Sequence, residues 1–184
     1  MLSGEIGLVK EARGGNEQAF LALYGHHRTP LFCFVCRLSG SATLAEDVTQ
    51  ECFLALVRGA DFKADRGSLR AYLFGMARNL VFRRLRIAER ESDEEVESAA
   101  PADVLGELLA SERAALVADA VGSLPALQRE AIVLFEYEEL SLDEIASITG
   151  VDVGAVKARL HRARESLRKR LAPLLVRASE RSCS

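Results

Sequence analysis

Along most of the chain, apolar residues recur three or four positions apart, the spacing that lines up one face of an α-helix. Leu44, Val48, Cys52 and Leu56 do so in "ATLAEDVTQECFLALVRG", and Leu69, Tyr72, Leu73, Met76 and Leu80 in "FKADRGSLRAYLFGMARNLVFRRLR". Near the other end Val153, Val156, Leu160, Ala163, Leu167 and Leu171 repeat the pattern. Helices are predicted over 16–38, 42–59, 68–87, 104–121, 125–138, 142–149 and 153–171. No alternating apolar run of useful length and no Asn-Gly or Asp-Gly hairpin signal is present, so strands are not expected. The predicted fold class is all-α, without internal repeats.

The pattern lapses once. "AERESDEEVESAAPADVLGELLASE" has no apolar periodicity before Val104, and it is rich in acids, with Ser and Pro, as linkers are. Charge marks the same break: residues 1–87 hold 12 basic and 8 acidic side chains, residues 88–112 hold 1 and 9, and residues 113–184 hold 11 and 10. The net charge of −3 therefore belongs to the middle of the chain. The expected organisation is a helical domain over 1–88, an acidic flexible linker over 89–112, a second helical domain over 113–175 and a tail over 176–184.

A chain of 184 residues can bury one core or two small ones, and 49% apolar with 28% charged residues is ordinary for a soluble globular protein. No apolar run approaches the roughly 18 residues of a spanning helix. The start, "MLSGEIGLVKEARGG", lacks the charged-then-apolar layout of a secretion signal, so a cytoplasmic location without membrane insertion is expected. Cys33, Cys36, Cys52 and Cys183 are then expected as thiols. Cys33 and Cys36 form a C-x-x-C with His26 and His27 upstream, which raises zinc or redox chemistry; the apolar run around them favours buried core cysteines instead. His26 and His27, adjacent on a helix, are expected to point apart, and no metal site or cofactor is expected.

The second lobe carries the more specific signal. Ser141 to Glu144, "SLDE", is a capping box, in which each side chain satisfies an amide left open at the helix start. Gly150 suits a helix stop and Asp152 the cap of the next helix, giving helix, glycine turn, helix. Between Val153 and Leu171 stand seven basic residues and one acid. With the apolar stripe turned inward, Lys157, His161 and Arg162 fall on the opposite side, with Arg159 and Arg164 on its flanks. Long donors around small residues suit a DNA major groove. A solvated basic face explains less of the capped helix and turn before it, and a membrane-surface helix would want the Trp and Phe anchors that are missing here.

In the first lobe the helix over 42–59 has two apolar faces: Phe53, Leu54 and Val57 lie opposite the core stripe, beside Glu46, Asp47 and Gln50. An apolar patch rimmed by acids marks either a protein-docking surface or a face covered within the same lobe; of the two, the docking surface is expected. In the next helix Phe74, Arg78 and Phe82 are expected to point outward near Arg70, Arg84 and Arg86. Aromatic and guanidinium planes of this kind can stack on unpaired bases while cations follow the backbone, whereas aromatics at helical spacing are on their own more often core residues.

Together these stretches resemble the extracytoplasmic-function sigma factors, the small two-domain class of bacterial transcription initiation factors. "AEDVTQECFLALVRG" resembles the core-binding helix of that family's region two, and "GSLRAYLFGMARNLVFRRLR" its promoter-melting segment. "LPALQREAIVLFEYEELSLDEIASITGVDVGAVKARLHRARESLRKRL" resembles region four, with a Leu-Pro-x-x-x-Arg start, the capping box and "VGAVKARLHRAR" in order. The resemblance implies a factor that binds core RNA polymerase, through the clamp of the largest subunit and the flap of the second, and directs transcription initiation without catalysing a reaction itself. It implies polymerase contact by Asp47, Gln50, Phe53, Leu54 and Val57. It implies capture of the minus-ten element as single strand by Phe62, Lys63, Asp65, Arg66, Ser68, Phe74, Arg78 and Asn79, and reading of the minus-thirty-five duplex by Lys157, Arg159, His161, Arg162 and Arg164. An anti-sigma factor is an implied further partner. Three positions depart from the family's usual pattern: Tyr72 stands where Trp is common, Gly75 where a longer polar residue is common, and Arg83 where Asp is frequent. Gly75 implies close packing or a slight bend.

Two other readings explain less. A stand-alone helix-turn-helix regulator accounts for residues 141–171 but leaves the aromatic-basic segment and the second apolar face without purpose. An enzyme would want a catalytic motif, and G-x-x-x-x-G-K, H-E-x-x-H and G-x-S-x-G are all missing.

Overall fold

In a computed structural model of the chain, the structure describes residues 2–59, 62, 67–91 and 112–181, with side chains described over 4–59, 62, 67–87 and 114–173. The described secondary structure is helical throughout. Helix α1 spans Leu2–Arg13, α2 Glu17–Ser39, α3 Ala42–Val57 and α4 Leu69–Glu91. Helices α5 (Glu112–Gly122) and α6 (Ala126–Ile132) follow, then a π-helical turn over Val133–Tyr137, α7 (Leu142–Thr149) and α8 (Val153–Arg181). The chain divides into two compact units, Met1–Glu97 and Ser98–Ser184.

The first unit is built on α2, which packs against α1, α3 and α4. Asn16 caps α2 by accepting from the Ala19 amide at 3.2 Å. Gly40, at φ 74°, then turns the chain, and Ser41 caps α3 by accepting from the Leu44 amide at 3.2 Å. Leu31, Phe34, Val35 and Leu38 of α2 meet Val48, Cys52 and Leu56 of α3 and Leu69, Leu73 and Val81 of α4 in a core where each is at most 2% exposed.

Helix α1 is an element that the periodicity reading missed. Among its described residues Val9 and Ala12 are buried and Leu8 is half-buried, while Ile6 is 39% exposed and Gly4 and Gly7 weaken the helical signal. Tertiary contact supplies what propensity lacks, including a bond from Arg13 Nε to the Leu56 carbonyl at 3.0 Å.

In the second unit α8 packs on α5, α6 and α7. The segment expected as one helix over 125–138 is α6 followed by the π turn, because Pro125 starts it and Glu138 donates back to the Val133 carbonyl at 3.1 Å. The predicted helix over 153–171 continues to Arg181. Most of the predicted linker, residues 92–111, and the end of the tail with Cys183 lie outside the described residues. Among the described residues no helix is long and apolar enough to cross a membrane.

Candidate promoter and polymerase interfaces

The second unit presents its basic helix as the sequence pattern requires. The capping box forms in full: Ser141 Oγ accepts from the Glu144 amide at 3.3 Å and Glu144 Oε2 from the Ser141 amide at 2.9 Å. Gly150 ends α7 in the left-handed region at φ 70°, a position that strains any side-chain-bearing residue. Asp152 Oδ1 then accepts from the Ala155 amide at 2.9 Å, starting α8 two residues after the stop. Val156, Leu160 and Ala163 of α8 are buried, which fixes the helix by one face and leaves Lys157, His161 and Arg162 in solvent.

The two flanking arginines behave differently. Arg164 donates to Glu136 Oε1 at 2.7 and 3.2 Å and lies 5.2 Å over the Phe135 ring, yet stays half exposed. Arg159, expected as a base reader, instead turns into the unit: its side chain is 15% exposed and its Nη1 lies 3.5 Å from Oε2 of Glu130, which is fully buried. A buried carboxylate needs a cation nearby, and Arg159 is the residue of α8 within reach. A shallow groove of about 610 Å³ runs along the exposed side of α8, lined by Phe135, Leu142, Lys157, His161, Arg164 and Arg168 among others. At its edge Lys169 holds the Glu165 carboxyl below its usual range through a 3.1 Å contact.

Sequence reasoning also missed why the Leu-Pro-x-x-x-Arg start matters. Arg129 is 6% exposed and donates through Nη2 to the Leu124 carbonyl at 3.0 Å, so it ties the start of α6 to the chain before it. Burial lowers the pKa of its guanidinium.

The first unit corrects the sequence expectations more strongly. Phe53, expected on an open second face of α3, is 2% exposed and enters an aromatic cluster with Phe20 and Tyr24 of α2, at ring distances of 6.4 and 4.8 Å. Helix α2 covers that part of the face. Leu54 remains 53% exposed, Val57 is half-buried, and Asp47 and Gln50 are exposed. Asp47, Gln50, Leu54 and Arg58 line a shallow groove of about 490 Å³ with Glu51 and Arg84. Arg84 pins its acidic rim, at 2.6 Å from Glu51 and 3.6 Å from Asp47, and Arg83 adds a 3.3 Å pair to Glu51.

Phe74, expected to point outward, is 1% exposed and packs edge-on against Phe34 at 5.0 Å, with Arg70 stacked 5.4 Å over it. Helix α4 is flanked by α2 and α3, so more than one of its faces is buried. Phe82 is half-buried under Arg78 at 4.9 Å, and Arg78 donates to the exposed Asn79 at 3.1 Å. Ser68 Oγ accepts from the Ala71 amide at 3.1 Å at the head of α4, and the half-buried Phe62 ring packs 5.3 Å from Tyr72. Lys63, Asp65 and Arg66 lie outside the described residues. A Cβ at Gly75 would meet nothing within 4 Å, so the close packing expected there is not what the glycine serves.

Of the described cysteines, Cys33 is half-buried while Cys36 and Cys52 lie in the core as expected, where burial pushes their thiols up to about 11 and about 12. Protonated and buried, they are poor nucleophiles and poor ligands. The histidines depart from expectation. His26 and His27 do not point apart; their ring centroids are 4.8 Å apart, and His27 Nε2 lies 3.0 Å from Glu5 Oε1 of α1. Burial lowers the pKa of His27, with Glu5 opposing that effect.

Comparison with known proteins decides the family. Sigma-70 region 2 matches residues 23–91 and sigma-70 region 4 matches residues 105–167. The ECF RNA polymerase sigma factor SigW of Bacillus subtilis is 32% identical over 180 residues, covering 90% of this chain and 96% of SigW. The chain belongs to the ECF sigma factors. It is similarly close to SigL of Mycobacterium tuberculosis, 33% identical over 174 residues with 90% and 96% of the two chains covered. Two solved structures resemble this sigma factor. CnrH in complex with the cytosolic domain of CnrY aligns with a TM-score of 0.66 at 30% identity, over 90% of this chain and 96% of CnrH. The sigma factor RpoE in complex with the anti-sigma factor NepR, from Bartonella quintana, aligns with a TM-score of 0.71 at 29% identity, over 83% and 96%. As a sigma factor the protein binds core RNA polymerase and promoter DNA and directs transcription initiation; it is not an enzyme.

Proposed function

We propose a division of labour between the two units. The unit ending near residue 88 docks on polymerase and takes the minus-ten element, the unit from about 113 to 175 reads the minus-thirty-five element, and the acidic segment 89–112 tethers them. Upstream reading belongs to Lys157, His161, Arg162 and Arg164, whose side chains stand on the exposed side of α8 around the groove. Arg159 positions that helix through Glu130. The observation that carries this reading is α8 itself: caps and an inward apolar face fix its register, and a row of cations is left outward at the spacing of base edges and phosphates.

Polymerase contact belongs to Asp47, Gln50, Leu54 and Val57, with Phe53 holding α3 in place from beneath; the polymerase surfaces concerned are the clamp of the largest subunit for this unit and the flap of the second for the other. Phe62, Lys63, Asp65, Arg66 and Ser68, with Arg78 and Asn79, form the minus-ten surface, and Phe74 supports it from the core. Unstacking a promoter base costs a few kcal/mol, which a pocket in the protein can recover. An acidic tether suits a basic nucleic-acid channel, because it occupies the channel without binding DNA. The protein acts in the cytoplasm, where polymerase is, and an anti-sigma factor restrains it; the related structure of RpoE, a sigma factor in complex with the anti-sigma factor NepR, supports that partner class.

Gel shift with promoter duplex tests the division. Tight, sequence-specific binding is expected only with core polymerase present. Equal binding by the chain alone would instead identify a stand-alone duplex regulator.

A further inference from the structure

We propose that Glu5, His26 and His27 form a binding site for a divalent transition-metal ion, with zinc as the reference ion, that joins α1 to α2. The carboxylate comes from α1 and both imidazoles from α2, and the ligand atoms all lie within 4.8 Å of one another. Two imidazoles and one carboxylate suit zinc and its first-row neighbours, with the remaining coordination positions left to water.

The geometry is half assembled. Bonds of about 2.0–2.1 Å at tetrahedral angles place neighbouring ligand atoms roughly 3.3 Å apart. Glu5 Oε1 and His27 Nε2 stand 3.0 Å apart, so a slight spreading admits an ion between them. When His27 takes the ion at Nε2, its remaining proton sits on Nδ1. His27 is 5% exposed and fixed by its surroundings, whereas His26 is exposed and free to turn its ring the last distance toward the same point.

A hydrogen bond between Glu5 and a buried histidine would by itself be ordinary core chemistry. It does not explain the second imidazole. Consecutive helix positions diverge by about 100°, yet the His26 ring sits edge-on to that of His27 and within ligand reach of the same carboxylate. The single carboxylate supplies the only counter-charge among the three ligands, so the site is expected to bind more weakly than a closed four-ligand zinc centre.

Binding would matter to α1 because it would add a cross-link between α1 and α2 to the packing of Val9 and Ala12 and the Arg13 bond to Leu56. An ion held across α1 and α2 favours the folded state by mass action.

The test uses the full chain with zinc, and with cobalt as a spectroscopic probe. We expect one equivalent of zinc to bind, with a melting temperature raised by about 5 °C or more at roughly tenfold excess over the dissociation constant. His26→Ala, a change at an exposed position, should weaken binding at least about tenfold and cut the shift to about a third or less. Glu5→Gln keeps a hydrogen-bonding partner for His27 but loses the charged ligand, and should do the same. The cobalt spectrum should lack a thiolate charge-transfer band. Absence of binding, a shift that both variants retain, or a thiolate band pointing to Cys33 and Cys36 would each overturn the proposal.

Discussion

The two units of this sigma factor treat their helices differently. Helix α8 turns Val156, Leu160 and Ala163 onto its own unit, draws Arg159 inward to Glu130, and leaves Lys157, His161 and Arg162 in solvent. Helices α3 and α4 are packed by α2 and by one another, so side chains on more than one side are enclosed. A helix with one buried face can be read from spacing alone. A helix with two cannot, because the pattern that marks a docking surface is the pattern that marks a second neighbour.

The sharpest test of that contrast pairs adjacent residues of α3. Phe53→Ala removes a ring from the aromatic cluster with Phe20 and Tyr24, and is expected to destabilise the first unit by about 3–5 kcal/mol in denaturant titration. Leu54→Ala, at a position 53% exposed, should change stability by less than about 0.5 kcal/mol while weakening polymerase binding. Equal stability losses would mean that the distinction between covered and open faces of α3 is wrong.

A parallel pair probes α8. Arg159→Ala removes the α8 guanidinium 3.5 Å from the buried Glu130 carboxylate and should lower the melting temperature of the second unit. Arg162→Ala should leave melting nearly unchanged and reduce use of the upstream promoter element, measured by transcription from templates with and without it.

Much of the second unit was legible because its signals are local. Ser141, Glu144, Gly150 and Asp152 act within a few residues of one another, and their bonds form as the sequence implies. Arg159 was the exception, since the partner that draws it inward, Glu130, lies 29 positions earlier and looks from sequence like any surface acid. The first unit depends on such distant partners throughout. Phe53 meets Phe20 and Tyr24, Phe74 meets Phe34, and Glu51 and Asp47 meet Arg84; no periodicity announces those pairs. Helix α1, with two glycines and with Val9 and Ala12 buried among its described residues, is held by contacts that its own sequence does not foretell.

Smaller effects refine the same comparison. Ser141→Ala removes the cap that sets the start of α7, at an expected cost of about 1 kcal/mol in thermal melting. Gly75→Ala should stabilise the first unit by about 0.5–1 kcal/mol, because a Cβ there meets no neighbour and a helix-interior glycine loses more entropy on folding. A loss at Gly75 would show that α4 needs the bend its glycine permits.

The central claim is that two separately folded surfaces do separate jobs. It is tested most directly by run-off transcription with core polymerase over a promoter library, using the unaltered protein, Leu54→Ala and Arg162→Ala, with core binding measured alongside. The account predicts selected start sites with the unaltered protein, weakened core binding with a matching fall in every transcript for Leu54→Ala, and for Arg162→Ala normal core binding with relaxed selection at the upstream element alone. Absence of selected start sites, or the same defect in both variants, would contradict it.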